Sequence, residues 1–134
     1  MTKKIILDTN IYISYFLFES KIVTQFVENV QIETEIIFSN QLLAEILDKF
    51  QNIFNVSSSV LDKFERFFLQ KEIYLTYSKN SFKQDPKDSF LLDLMDFSQA
   101  NYLVTGDKKL LKLKKFQNTK IVSISEFSKI FPYD

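Results

Sequence analysis

The chain has 134 residues, and its seventeen Lys and Arg balance seventeen Asp and Glu, so the formal net charge is zero. Hydrophobic residues make up 46% of it, which suits a folded domain with a real core and argues against disorder. There is no His, no Cys and a single glycine, which excludes His- or Cys-ligated metal sites, thiol nucleophiles, Ser-His-Asp triads and glycine-rich nucleotide loops.

The remaining chemistry rests on carboxylates, hydroxyls, Lys and Tyr. A metal held by carboxylates alone would be a hard cation, Mg²⁺ or Mn²⁺. The apolar runs are short and interrupted by charges, so no membrane span is expected. Only three consecutive apolar residues precede Asp8, too few for the core of a signal peptide, and we expect a cytoplasmic protein.

Short apolar strands alternate with amphipathic helices along the chain. In chain order the predicted elements are a strand at 3–7, a helix at about 11–30, a strand at 35–39, helices at 40–50 and 59–71, a strand at 72–77, a polar loop at 78–84, a helix from 85 to about 100, a strand at 102–105, a helix at 107–113, a strand at 121–124 and a terminal helical turn from 125. Ser59, Asp85-Pro86 and Ser125 are the predicted helix starts.

Strands separated by helices pair in parallel through right-handed crossovers. The sequence therefore predicts an α/β fold, a three-layer α/β/α sandwich with a central, mainly parallel sheet of roughly five strands. Nothing resembles a linker or an internal repeat, so residues 1–134 are predicted to form a single domain.

Four acids follow successive strands of this predicted sheet. Asp8 ends the first strand, Glu45 lies on the helix after the second, Asp88 begins the helix after the third, and Asp107 follows the fourth. Because the carboxyl ends of parallel strands face one crevice, these four side chains are expected to converge there.

Helix capping is the alternative explanation for three of these acids. Asp8 and Asp107 are each placed to act as an N-cap, and Asp88 to complement a helix dipole. Glu45 is too deep in its helix to cap it. On a helical wheel it lies about 130° from the centre of the apolar stripe, against about 170° for Asp48. The wheel also favours Asp88 over its neighbours without excluding Asp93.

Electrostatics weigh on the cluster as a whole. Two carboxylates about 4 Å apart repel by roughly 4 kcal/mol at an effective dielectric near 20. Four converging acids would therefore need protons or a divalent cation. Metal ions held by carboxylates activate water and stabilise in-line attack on a phosphodiester.

The sequence resembles the PIN-domain nucleases, particularly the small VapC-like toxins of toxin–antitoxin systems. The resemblance covers nearly the whole chain and rests on four segments in order: LDTNI at 7–11, LLAEIL at 42–47, DPKDSFLLDL at 85–94 and YLVTGDKKLL at 102–111. It implies an Mg²⁺- or Mn²⁺-dependent endoribonuclease acting on single-stranded RNA. Asp8, Glu45, Asp88 and Asp107 match the catalytic, metal-binding acids, and Asn10, Thr105 and Asp93 match supporting positions.

The resemblance also implies partners. RNA is the implied substrate and a cognate antitoxin is the implied protein partner, while a second copy of the chain is the alternative protein partner. Lys108, Lys112, Lys114 and Lys115, with the adjacent Lys109, follow Asp107 and form either a solvated face or a strip that holds RNA phosphates. Surplus aromatic residues in the helix at 11–30, among them Tyr12, Tyr15 and Phe18, are candidates for the protein interface.

Other functions remain open from the residues alone. These are an RNA-processing nuclease that is not a toxin, a catalytically inactive PIN-like binding module, and a haloacid-dehalogenase-type phosphatase. The phosphatase requires a second Asp two residues after the first, where this sequence has Asn10. A receiver-like domain would need an Asp at the end of the third strand, where the sequence has Thr76 and Tyr77.

Overall fold

The computed structural model describes residues 2–81 and 88–131. The strands are β1 (Lys3–Leu7), β2 (Thr34–Ser39), β3 (Glu72–Tyr74), β4 (Tyr102–Val104), β5 (Lys115–Phe116) and β6 (Thr119–Val122). The α-helices are α1 (Thr9–Ile13), α2 (Lys21–Glu33), α3 (Asn40–Asp48), α4 (Ser58–Phe68), α5 (Ser89–Ser98), α6 (Lys108–Leu113) and α7 (Ile124–Ile130). Two π-helical turns, π1 (Ser14–Phe18) and π2 (Lys49–Ile53), continue α1 and α3.

The six strands form one sheet in the order β3-β2-β1-β4-β6-β5. All neighbours are parallel except β5 and β6, which form an antiparallel hairpin. The predicted α/β/α sandwich with a mainly parallel sheet is therefore confirmed. The strand that the sequence did not predict, β5, has only two residues and begins after the C-cap of α6, Lys114.

The sheet is buried on both faces. Ile5, Ile6 and Leu7 of β1 are all fully buried, although consecutive strand residues point to opposite faces. One aromatic cluster centres on the buried Phe64 of α4, whose ring contacts Tyr12, Phe16 and Phe50. These packed faces fix the strand ends that carry the polar residues.

The helix predicted at 11–30 is instead two helices. After π1, Glu19 adopts a left-handed conformation with φ of 49°, and Ser20 caps α2 by accepting a hydrogen bond from the Val23 amide at 3.5 Å. The apolar pattern runs through both helices, so periodicity alone did not mark the break.

Two other helix starts were predicted two residues late. Ser57, not Ser59, caps α4, and Ser123, not Ser125, caps α7 in a reciprocal capping box with Glu126. Both caps have other serines nearby, so residue type alone does not identify them. The N-cap is the last residue with an extended backbone before the helix, and here that residue is Ser57 or Ser123. The last predicted strand, at 121–124, corresponds to β6, which begins at Thr119 and ends at Val122.

The third predicted strand, at 72–77, is shorter than expected and ends at Tyr74. The predicted start at Asp85-Pro86 and part of the polar loop at 78–84 lie outside the described residues. No helix within residues 2–81 and 88–131 is both long and apolar enough to cross a membrane.

Candidate active site

The carboxyl ends of β1 and β4 meet at the point where the sheet changes winding direction. From β1 the chain adds β2 and β3 on one side, and β4 and β6 lie on the other. The Asp8 amide donates to the Val104 carbonyl at 3.1 Å, so the two strands stay paired up to the first acid. Open α/β sheets bind ligands in the crevice at such a switch point.

A buried hydroxyl joins Asp8 to the segment that carries Asp107. Thr105 is 1% exposed, and its Oγ1 donates to Asp8 Oδ2 at 2.6 Å and accepts from the Asp107 amide at 3.0 Å. Asp8 Oδ1 also accepts from the Thr9 amide at 2.6 Å. The structure thus brings together Asp8, Thr105 and Asp107, which lie far apart in the sequence.

The pKa of Asp8 is raised above its ordinary value. Burial is the main cause, and the hydrogen bonds from Thr105 and Thr9 oppose it. The negative charge of Asp107 raises this pKa further. The two carboxylates are therefore close enough to repel, and a cation between them would be stabilised by both.

Both acids also act as helix caps, as the alternative explanation proposed. Asp8 is the N-cap of α1, and Asp107 is the N-cap of α6, accepting from the Lys109 amide at 2.8 Å. Capping uses one oxygen of Asp107, and its other oxygen makes no hydrogen bond to the described residues. Capping and site geometry are therefore compatible, since capping fixes the carboxylate at the sheet edge.

Glu45 lies half-buried on α3, whereas Asp48 is exposed, as the helical wheel predicts. The Oε1 atom of Glu45 lies 3.8 Å from Nζ of Lys49, which is the first residue of π2. The positive charge of Lys49 also lowers the pKa of Asp8, so this lysine lies near both Glu45 and Asp8. Lys49 was not predicted from the sequence, although its spacing of four residues from Glu45 is typical of a helical ion pair.

Asp88 and Asp93 are both buried, Asp88 just before α5 and Asp93 within it. Asp88, 8% exposed, directly precedes α5 and makes no N-cap hydrogen bond to that helix. Asp93 Oδ1 accepts from the amides of Lys79 and Asn80, at 3.1 and 2.8 Å, and fastens the loop after β3. Asp93 also lines a hollow of about 430 Å³ together with Glu45 and Ser89. These contacts give Asp93 a loop-anchoring role.

The other predicted residues lie at the surface or in the core. Asn10 is exposed on α1, directly after the Asp8 cap. The five lysines are all exposed, as a solvated face or a phosphate strip would require: Lys108, Lys109, Lys112, Lys114 and Lys115. Tyr12 is fully buried against Phe38 and Phe64, so the prediction that it lies at a protein interface is wrong. Phe18 is 64% exposed and remains a candidate.

The chemistry of the donors fits a hard divalent cation. No group of three or more His, Cys, Asp or Glu side chains within residues 2–81 and 88–131 forms a metal site. Mg²⁺, however, commonly keeps several waters and uses only one or two protein carboxylates. The adjacent Asp8 and Asp107 meet that requirement, and each Asp8 oxygen retains acceptor capacity beyond its one hydrogen bond.

The fold and this site define an α/β/α protein with a carboxylate crevice at its topological switch point. The model of the family described as PIN domain matches residues 4–109, which include all four predicted acids. The chain therefore belongs to the PIN domain family, which confirms the resemblance found in the sequence.

The fold is similar to that of a solved structure. It is the complex described as VapBC2 from Rickettsia felis bound to a DNA fragment from their promoter, and one of its chains superposes with a TM-score of 0.64 at 17% identity. The match covers 90% of this chain and 98% of that one. No curated protein matches the sequence.

Proposed function

We propose that this protein is an Mg²⁺- or Mn²⁺-dependent endoribonuclease that hydrolyses phosphodiester bonds in single-stranded RNA. The observation that carries the proposal is the hydrogen-bonded link from Asp8 through Thr105 to Asp107 at the switch point of the sheet. Membership of the PIN domain family, whose members are generally nucleases, favours a nuclease over the phosphatase alternative.

Asp8 and Asp107 would hold the metal, with Glu45 and Asp88 as further acids of the site. When bound, the metal would supply activation of water and charge neutralisation at the phosphate. Thr105 orients Asp8 by donating a hydrogen bond to one oxygen of its carboxylate. The remaining lone pairs of the Asp8 carboxylate are then directed away from the Thr105 hydroxyl. Lys49 balances charge between Glu45 and Asp8. Asn10, exposed beside Asp8, is available to contact the substrate.

A cleavage assay tests the nuclease. The wild-type protein should cut a 5′-labelled, mixed-sequence single-stranded RNA with Mn²⁺ and lose this activity with EDTA. Asp8→Asn and Asp107→Asn should each lower the rate by about a hundredfold or more. Asp62→Asn, which changes an exposed carboxylate of α4, is the matched control and should cleave like wild type. Equal cleavage by Asp8→Asn would show that the site is wrongly assigned or that the activity is a contaminant.

A melting experiment tests the metal without requiring activity. At a Mn²⁺ concentration one hundred times the Kd, binding should stabilise the folded state by about 2.7 kcal/mol. Asp8→Asn should remove most of the increase in melting temperature, and Asp62→Asn should keep it. If Mn²⁺ does not shift the wild-type melting temperature, the inactive binding module becomes the better description.

The lysines after Asp107 are proposed to hold RNA phosphates. All of them are exposed in or after α6, the helix that Asp107 caps. Changing Lys112, Lys114 and Lys115 together to Gln should weaken RNA binding and flatten its dependence on salt, because fewer counterions are released. Unchanged binding at several salt concentrations would leave them as a solvated face.

We propose a toxin role with a protein antitoxin as the partner. The similar fold in the VapBC2 complex supports this role. The rings of the exposed Phe18 and Phe54 pack against each other with their centroids 5.8 Å apart. Together they offer an apolar surface for an antitoxin or a second copy of the chain. Expression in a bacterial host should arrest growth, and Asp8→Asn should not. RNA cleavage in vitro without growth arrest would favour an RNA-processing enzyme.

Light scattering of the purified chain tests self-association directly. A dimer that Phe18→Ser converts to a monomer would place the second copy on this surface. A wild-type monomer would exclude the homodimer and leave the surface for an antitoxin.

A further inference from the structure

An uncharged crevice of about 630 Å³ lies directly beside the carboxylates. Its walls come from α1 and π1, the start of α2, the turn between β4 and α6, and α7. It shares Asn10, Thr105 and Gly106 with the surroundings of Asp8 and Asp107. No Asp, Glu, Lys or Arg lines it, whereas the larger groove beside α2 includes Glu19, Lys21 and Lys63.

The lining combines apolar surface with unused hydrogen-bonding groups. Ile22 is 73% exposed and contributes apolar area. The side chains of Asn10, Ser14 and Ser125 also line the crevice, and none of them makes a hydrogen bond to the described parts of the chain. Small-molecule sites typically combine such an apolar wall with a few polar groups.

Gly106 has no reason within the described chain to be a glycine. It is the only glycine in the sequence, its φ is not positive, and a Cβ built on it would meet nothing within 4 Å. Glycine loses more conformational entropy on folding than any other residue. The bare backbone at the crevice wall therefore makes room for something outside the chain to approach closely.

We propose that this crevice binds a nucleobase of the RNA substrate next to the phosphate that is cut, an inference that rests on the proposed function. A base is flat, uncharged, and carries hydrogen-bonding groups at its edges, which Asn10, Ser14 and Ser125 can meet. A phosphate would lose its hydration here without gaining a positive charge. The wall formed by α7 lies beyond residues 4–109, so this part of the site is outside the segment shared with the family model.

Binding of free nucleosides tests the crevice without catalysis. Adenosine, guanosine, cytidine and uridine would be titrated separately, without metal, into ¹⁵N-labelled protein. At least one should shift the amides of Gly106 and Ser125. Gly106→Ala and Ser125→Ala should each lower the affinity for that nucleoside by about tenfold. Ser59→Ala, at an exposed position of α4, should leave the affinity for that nucleoside unchanged. Melting curves like that of the wild type would show that the variants are folded.

Cleavage mapping on a randomised single-stranded RNA completes the test. The wild type should prefer one base beside the cut, and Ser125→Ala should relax that preference while Ser59→Ala preserves it. RNA cleavage without base preference and without nucleoside shifts would overturn the crevice assignment and leave the nuclease intact. Nucleoside shifts in the crevice without any RNA cleavage would overturn the nuclease and, with it, the assignment of the base to an RNA substrate.

Discussion

Thr105→Val isolates the hydroxyl that joins the two acids. The substitution keeps the side-chain shape and removes both the donor to Asp8 Oδ2 at 2.6 Å and the acceptor for the Asp107 amide at 3.0 Å. A hydrogen bond to a charged group is worth about 1.5–3 kcal/mol, and an unmatched amide costs about 1 kcal/mol more. The expected loss of unfolding free energy is therefore about 2.5–4 kcal/mol, or about 9–14 °C in melting temperature for a chain of this size.

Thr119→Val is the matched control for this prediction. Thr119 is also fully buried, and its hydroxyl donates to the neutral Ala100 carbonyl at 2.7 Å, away from the acids. It should cost only about 1 kcal/mol and leave RNA cleavage unchanged. Thr105→Ser, which keeps the hydroxyl, should retain most of the metal-dependent activity that Thr105→Val loses.

Urea unfolding and RNA cleavage, measured on all three variants, provide the assay. The stability difference between wild type and Thr105→Val should shrink on acidification, because a protonated Asp8 accepts a weaker hydrogen bond. Equal destabilisation by Thr105→Val and Thr119→Val, with cleavage retained in both, would refute the role of Thr105 in orienting Asp8.

Three further predictions concern stability. Burial raises the pKa of Asp8 above its ordinary value of 3.8, so the free energy of unfolding should fall as pH rises from that value through the folded-state pKa. In urea unfolding measured over this pH range, Asp8→Asn should remove the fall in stability. Parallel pH profiles for the wild type and the variant would contradict this prediction. The buried Tyr12 hydroxyl has no hydrogen-bond partner among the described residues, so Tyr12→Phe should stabilise the protein by about 1 kcal/mol in chemical denaturation, and a loss would indicate a missed partner. Ser57→Ala should cost about 1 kcal/mol by removing the cap of α4, whereas Ser59→Ala should cost almost nothing; thermal melts giving the reverse order would restore Ser59 as the cap.

The proximity of Asp8 to Asp107 was predictable from the sequence, because strand order constrains where strand ends lie. An apolar strand that ends on an acid, followed later by another, predicts two carboxylates at one sheet edge without knowledge of side-chain contacts. The half-buried position of Glu45 followed from helix periodicity in the same way. These inferences use regular geometry, which local sequence encodes well.

The remaining features depend on contacts that local patterns do not encode. The four-residue spacing marks Lys49 as a neighbour of Glu45, but its position near Asp8 depends on how α3 packs against α1. Ser125 lines the base crevice because β6 pairs with β4 and turns α7 toward it. The break at Glu19 interrupts an apolar pattern that is continuous on both sides. Such features are decided by tertiary packing and not by residue type.

The lengths of the two edge strands limit how this protein can meet a partner. One edge is β3, with three residues, and the other is β5, with two. A peptide that extends a sheet needs a longer run of unpaired backbone groups, and short edges also protect against uncontrolled strand pairing. The short edges therefore disfavour the addition of a strand from another chain, and the exposed side chains of the helices can be substituted without disturbing the sheet that supports the acids.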